Sequence, residues 1–337
     1  MKKIWKKRNR RRTLEETRKW RWGVNRWWIL GFVILTAIAV TVVSVPVRPH
    51  IQVAPELILS EPLFTLPVIG DFYLVNTLTS LLLVDLIIIG LAFLVRKALK
   101  SGTLVPKGIA SAFEALVEML YNLTESSAGK NAKQIFPWFA TIMILVLVAN
   151  LTKLIPGMEA IGFMHHSEHG NEIQSIGANA AILLPTEAHE GEGYVVTPWF
   201  RGVSTDLNFT VSLALISVVM TQVIGFRAQR WRYLLKFFNI STIFKKPFFG
   251  FMDLIVGLLE LISEFAKILS FSFRLFGVMF SGTVLVALIS TLVPVFMPSL
   301  IFAFELFMGV IQAFVFGMLT MVFMAQATQG HGEHAEH

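Results

Sequence analysis

Apolar residues along this chain gather in long uninterrupted runs set apart by short polar or proline-bearing stretches. A run of about 20 such residues is what a helix needs to cross a bilayer. The runs predict spans over Trp28–Val47, Tyr73–Val95, Ile135–Ile155 (stopped by Pro156-Gly157) and Leu207–Phe226. The fifth run, Phe248–Leu292, is far longer. As one helix, its roughly 45 residues would measure about 68 Å, more than twice a bilayer thickness, so it must tilt, bend or turn at the interface. Pro294 and Pro298 end it, and a sixth element covers Leu300–Ala327. Leu104–Gln134 has helical apolar spacing but is interrupted by Glu114, Glu118 and Glu125, which predicts an amphipathic helix lying along the interface. The stretches 48–72 and 156–205 read as polar connections. The expected fold is all-α and polytopic. It has about six membrane elements, the last two a long tilted hairpin, plus the interfacial helix.

Composition supports this reading. The chain has 337 residues, is 55% hydrophobic, and has a mean hydropathy of +0.66. It contains no cysteine, which excludes disulfides, zinc–thiolate sites and thiol nucleophiles. Charge is uneven. Residues 1–27 hold twelve Lys and Arg against Glu15 and Glu16, a net +10 within a total of +7, so the remainder is −3. Such an arm, with Trp5, Trp20 and Trp22, could in principle bind nucleic acid. It leads straight into an apolar run, however, where arginines and tryptophans act as topology and interface signals, so no nucleic-acid partner is expected. The run is also too long for a cleavable signal peptide.

Loop charge fixes an expected orientation. Basic residues follow the second span (Arg96, Lys97, Lys100, Lys107) and the fourth (Arg227, Arg230, Arg232, Lys236, Lys245, Lys246). The 156–205 connection instead carries Glu159, Glu168, Glu172, Glu187, Glu190 and Glu192. The positive-inside rule then places both termini in the cytoplasm. Four regions are expected: 1–50, a basic arm with an extra span; 51–72, an external connection; 73–327, the membrane domain; and 328–337, a polar His-rich tail.

Against this apolar background Arg274 stands out. An arginine at mid-bilayer costs about 2.5–3.5 kcal/mol by insertion scales and cannot escape by deprotonation. Glu260, Ser263, Lys267, Ser270, Gly277 and Ser281 share its helix face. In the sixth element Ser299, Glu305, Gly309 and Gln312 form a second seam. Ser and Gly alone make ordinary packing surfaces, and Glu305 paired with Arg274 would be a buried ion pair without transport. Several ionisable residues together favour an ion or proton pathway.

The segment SFSFRLFGVMFSG around Arg274 resembles the arginine-bearing signature of subunit a of the F-type ATP synthase. In the same order, FPWFATIMILVLVANLTKLIPG resembles that family's asparagine-bearing span, STDLNFTVSLALI its external D-x-N helix start, and FELFMGVIQAFVFGMLTMVF its last helix. LVPKGIASAFEALVEMLYNL also fits its interfacial helix. The resemblance covers about Tyr73 to Gln326. It implies a multi-pass stator in a bacterial plasma membrane, partnered by the lipid bilayer, a rotating c-ring, b-type peripheral-stalk subunits and other synthase subunits. No cofactor is expected.

By the same resemblance Arg274 faces the ring carboxylates. Glu305 and Gln312 take the acid and amide positions of the last helix. Asn150, Asp206 and Asn208 fall on the external path, and Glu260, Lys267 and Ser270 on the internal one. Departures are Val278 for the family's Asn, Thr283 for a common Glu, Ile268 for a Pro, and Lys153 where some relatives carry an acid. With Thr283 unable to titrate, Glu305 becomes the main external acid.

The chain has no P-loop, so ATP chemistry belongs to partners and the chain itself is expected to be non-catalytic. His165, His166, Glu168 and His169, and the tail's His331, His334 and His337, sit in polar segments. They read as solvated rather than as a metal site. The rival reading is an independent ion-coupled secondary transporter with an arginine site. Internal repeats and paired broken helices would favour it, and the sequence has neither.

Overall fold

The computed structural model describes residues 52–100, 109–230, 233 and 247–329, apart from 60, 68–69, 156, 168–169, 177–179, 189–192 and 294–296, with a few positions between 27 and 35. The basic arm, most of the first expected span and the His-rich tail lie outside the described residues.

Among the described residues, six long helices and six short strands can be traced. A hairpin of β1 (Phe64–Leu66) and β2 (Gly70–Phe72) precedes α1 (Asn76–Lys100), α2 (Ile109–Ala128) and α3 (Ala132–Lys153). After β3 (Gly162–Ser167), β4 (Asn171–Ser175), β5 (Ala181–Glu187) and β6 (Gly193–Pro198) come α4 (Leu207–Gln229), α5 (Pro247–Leu292) and α6 (Met297–Thr328). Among the described residues, five helical stretches are long and apolar enough to cross a membrane: Asn76–Lys97, Ser111–Lys153, Leu207–Gln229, Ile255–Leu292 and Met297–Thr328. The chain is thus a mostly helical membrane protein.

Two departures from the expected elements have physical causes. The 156–205 connection is not irregular. It folds into an antiparallel sheet of order β3-β6-β4-β5, in which Met164 pairs with Val196 and Ile173 with Leu183. Its strands are short, β4 is exposed on both faces, and none of β3, β4 or β6 has a fully buried face, so no strong hydrophobic alternation announces them. Secondly, α2 and α3 are separated only by the single turn Gly129–Asn131 and together form one 43-residue apolar stretch. Leu120 and Thr124 of α2 are fully buried in the bundle, while Glu114, Glu118 and Glu125 stay on its exposed face.

The fifth element is a single 46-residue helix, about 69 Å long. Pro247 supplies the preset φ of a first helical residue, and no proline recurs until Pro294, just beyond its end. The core lies where α3, α4, α5 and α6 meet. Val146, Leu213, Ala214, Phe271, Leu275 and Phe316 interlock there. A second cluster joins α2 and α3 to α6 through Leu120, Ile135, Phe139, Met321 and Met324. α5 contributes only one stripe to this core. Leu258, Leu259, Ile262, Phe265, Leu269, Phe273 and Leu288 stand exposed along the rest of it, as suits a helix facing lipid or another apolar protein.

Candidate functional site

The helix α4 begins at Asp206, whose extended backbone and carboxylate form an N-cap. Its Oδ1 accepts from the Asn208 N–H at 2.8 Å, and its Oδ2 accepts from the Thr77 hydroxyl of α1 at 2.8 Å. Asp206 is therefore buried and doubly bonded, whereas the Asn208 side chain is exposed. Beside it, the Ser204 hydroxyl donates to Asn150 Oδ1 at 2.7 Å, and Asn150 Nδ2 donates to the Gly309 carbonyl at 2.9 Å. These bonds tie α1, α3, α4 and α6 together at one end of the bundle.

Nearly one turn on from Asn150 lies a buried ion pair. Lys153 Nζ is 2.9 Å from Glu305 Oε1 and 3.0 Å from the Met279 carbonyl of α5, and both charged side chains are 5% exposed. The arrangement needs residue 282 to be glycine. A Cβ there would lie 2.4 Å from Glu305 Oε1. The second carboxylate oxygen, Oε2, is buried without a hydrogen-bond partner, as is Oε1 of Gln312 one face-repeat further along α6. Thr283 spends its hydroxyl on the Met279 carbonyl at 3.2 Å. Glu305 thus pairs with Lys153 and not with Arg274.

Arg274 occupies a different surface. It is exposed on α5, with one nitrogen donating to Ser270 Oγ at 3.3 Å. Among the described residues no carboxylate reaches it within 4.0 Å. Ser270, Gly277 and Ser281 of its seam are exposed too, with open space beyond Gly277. The two seams seen in the sequence therefore do opposite things. That of α6 (Glu305, Gly309, Gln312) is buried, and that of α5 around Arg274 points away from the bundle.

Towards the other end of α5, Lys267 binds Glu264 at 2.8 Å and lies 4.7 Å over the ring of Phe323. Glu260 is half-buried nearby. His165 and His166 are exposed on β3, and among the described residues no group of three or more potential metal ligands gathers.

Of the residues singled out in the sequence, Glu305, Gln312, Asn150 and Asp206 are buried in the bundle and Arg274 is exposed. The pairing of Lys153, the bonds of Ser204 and Thr77, the close approach at Gly282 and the burial of Glu264 were not foreseen. A lone lysine inside an apolar span was itself a signal that a buried acid must lie opposite.

With this geometry in place, the comparisons are informative. The ATP synthase A chain family matches residues 77–325, well over half of the chain. An ATP synthase subunit a from Mycobacterium bovis is 31% identical over 263 residues, covering 77% of this chain and 89% of that protein. One from Moorella thermoacetica is 25% identical, covering 78% and 95%. An ATP synthase subunit a described as sodium ion specific, from Propionigenium modestum, is 30% identical, covering 70% and 69%. The matched region holds Arg274, Lys153, Glu305 and every bond of the Asp206–Asn150 network, and by that match the chain belongs to the ATP synthase A chain family.

Proposed function

We propose that the chain is the proton-translocating stator of an F-type ATP synthase, with Arg274 facing the carboxylates of a rotating c-ring between two offset half-channels. The observation that carries this is Arg274 itself. A permanently charged guanidinium stands exposed on a 46-residue apolar helix with only a serine bonded to it. Such a charge needs an anion, and among the described residues none lies within 4.0 Å.

A single continuous water path would leak protons, whereas two paths joined by rotation do not. On the outer side the path runs past Asp206, Asn150 and Glu305. On the inner side it runs past Ser270, Lys267 and Glu260. A carboxylate brought within about 4 Å of Arg274 gains about 4 kcal/mol at an effective dielectric near 20, against about 2.3 kcal/mol of driving energy per charge per 100 mV. Desolvation must offset most of that attraction, or the rotor would lock. Arg274 also bars protons from crossing directly between the two paths.

In this reading b-type stalk subunits hold the chain still, both termini are cytoplasmic, and the membrane is a bacterial plasma membrane. The proton is favoured as coupling ion because the outer path is built around one buried carboxylate already held by an ammonium. The sodium specificity of the Propionigenium relative belongs to that protein.

The chain has no cysteine, so a direct test is clean. Gly277→Cys, next to the open surface, should form a disulfide with a cysteine placed one turn from the ring carboxylate. A cysteine at exposed Leu82 of α1 should not. Equal yields from both positions would refute the ring-facing assignment.

A further inference from the structure

The end of α4 opposite Asp206 holds a second buried polar cluster. Arg230, the C-cap of α4, has a positive φ of 54° with ψ −135°, which ends the helix just past Gln229. Past this end Tyr233, 4% exposed, packs back against α4. Its ring fits because residue 225 is glycine. A Cβ there would lie 2.5 Å and 2.7 Å from ring carbons of Tyr233. The hydroxyl donates to Gln222 Oε1 at 2.6 Å. Burial, then the charges of Glu264 and Glu260, push the tyrosine up to about 12 from 10.0. It is therefore a neutral donor at any physiological pH, and the two carboxylates lie close enough for their charges to act on it.

Two polar atoms in this cluster are unspent. Gln222 Nε2, a donor, and Glu264 Oε2, an acceptor, are both buried without a hydrogen-bond partner. Glu264 is 7% exposed, so its link to Lys267 is no ordinary pair on a solvated helix face, and that link uses only Oε1. Leaving such groups unpaired in a buried site is unfavourable. Gln222 is bonded to the tyrosine, and Glu264, on the neighbouring helix, acts on it through its charge; a free donor and a free acceptor at this end of the bundle suit a small polar guest that both gives and takes hydrogen bonds.

We infer that Gln222 and Glu264 form a station for water and a hydrated proton, with Tyr233 as its lid, at the basic end of the bundle. This rests on the half-channel reading above and places a second inner carboxylate beside Glu260. At the station a hydronium ion passes a proton to Glu264 Oε2, leaving water and a carboxylic acid. The same proton returns to water beyond Tyr233, and Lys267 keeps the carboxylate turned inward.

The test uses the whole complex in inverted membrane vesicles, with passive proton conduction measured after the catalytic headpiece is stripped. Gln222→Cys, which removes the station's amide, should conduct more slowly than the parent but measurably, until silver ion, a small hydrated cation, is added. Silver should then lower the rate by at least about tenfold while leaving the cysteine-free parent untouched. Adding Tyr233→Ala should admit a bulky charged thiol reagent that Gln222→Cys alone excludes. Glu264→Gln should slow conduction and Glu264→Asp restore much of it. Ring co-purification checks assembly, and if Glu264→Gln fails to assemble, the silver result decides alone. Silver-insensitive conduction through Gln222→Cys, or an assembled Glu264→Gln that conducts like the parent, overturns the station. The half-channel reading fails separately, if Arg274→Ala pumps normally, whatever silver does.

Discussion

Lys153 and Glu305, 152 positions apart in sequence, meet at 2.9 Å with 5% of each side chain exposed. A buried pair of this kind adds little over an apolar replacement, but removing one partner strands the other's charge and costs about 3–5 kcal/mol. Glu305→Gln should therefore both slow proton uptake and lower the thermal stability of the membrane sector. Adding Lys153→Met should recover the stability without recovering conduction. Denaturation of the purified complex, read beside proton flux, separates the two effects. A double variant no more stable than Glu305→Gln alone would show that the pair carries no such energy.

Gly282 gives a finer probe of the same pair. Alanine there would push its Cβ into Glu305 Oε1, at 2.4 Å in the present geometry, whereas alanine at Gly277 meets nothing within 4 Å. Gly282→Ala should impair proton conduction with the complex assembled. Gly277→Ala should leave assembly and stability unchanged. Equal stability losses at both positions would contradict the packing described.

Asp206 is expected to matter in two separable ways. Asp206→Ala loses the N-cap and the Thr77 bond, which together should cost about 1–3 kcal/mol. Asp206→Asn keeps a capping oxygen and should retain most of that stability. If the carboxylate also conducts, Asp206→Asn slows proton flux in a stable complex. If flux is unchanged, Asp206 serves α4 alone.

Orientation follows from charge. A reporter active only outside the cytoplasm should be silent when fused at residue 10 and active within the 156–205 connection. The reverse pattern would exchange the inner and outer paths.

Much of this was legible in the sequence because bilayer helices write themselves as long apolar runs. α4 and α6 fall within a few residues of the expected spans, and α5 emerges as one continuous helix between Pro247 and Pro294. The β3–β6 sheet was not legible, since strands such as Asn171–Ser175 are exposed on both faces and carry no periodic apolar signal. Arg274 and Glu305 stood out as ionisable residues in apolar spans, and Lys153 only as a departure from the family's pattern. Which two would pair was not legible, because it depends on how α3, α5 and α6 are arranged and on the space left by Gly282. The burial of Glu264, four residues from Glu260 and three from Lys267, was not legible either, since its spacing alone does not tell which side of α5 is covered.

In the proposed function Arg274 serves an anion outside this chain and couples it to proton flow. ATP-driven proton pumping into inverted vesicles, followed with a pH-sensitive dye, reads that coupling. With Arg274→Ala the complex should assemble and hydrolyse ATP but build no gradient. Arg274→Lys should not rescue it, because an ammonium is more strongly hydrated and lacks the planar fork of donors. Normal acidification by vesicles carrying Arg274→Ala would contradict the account.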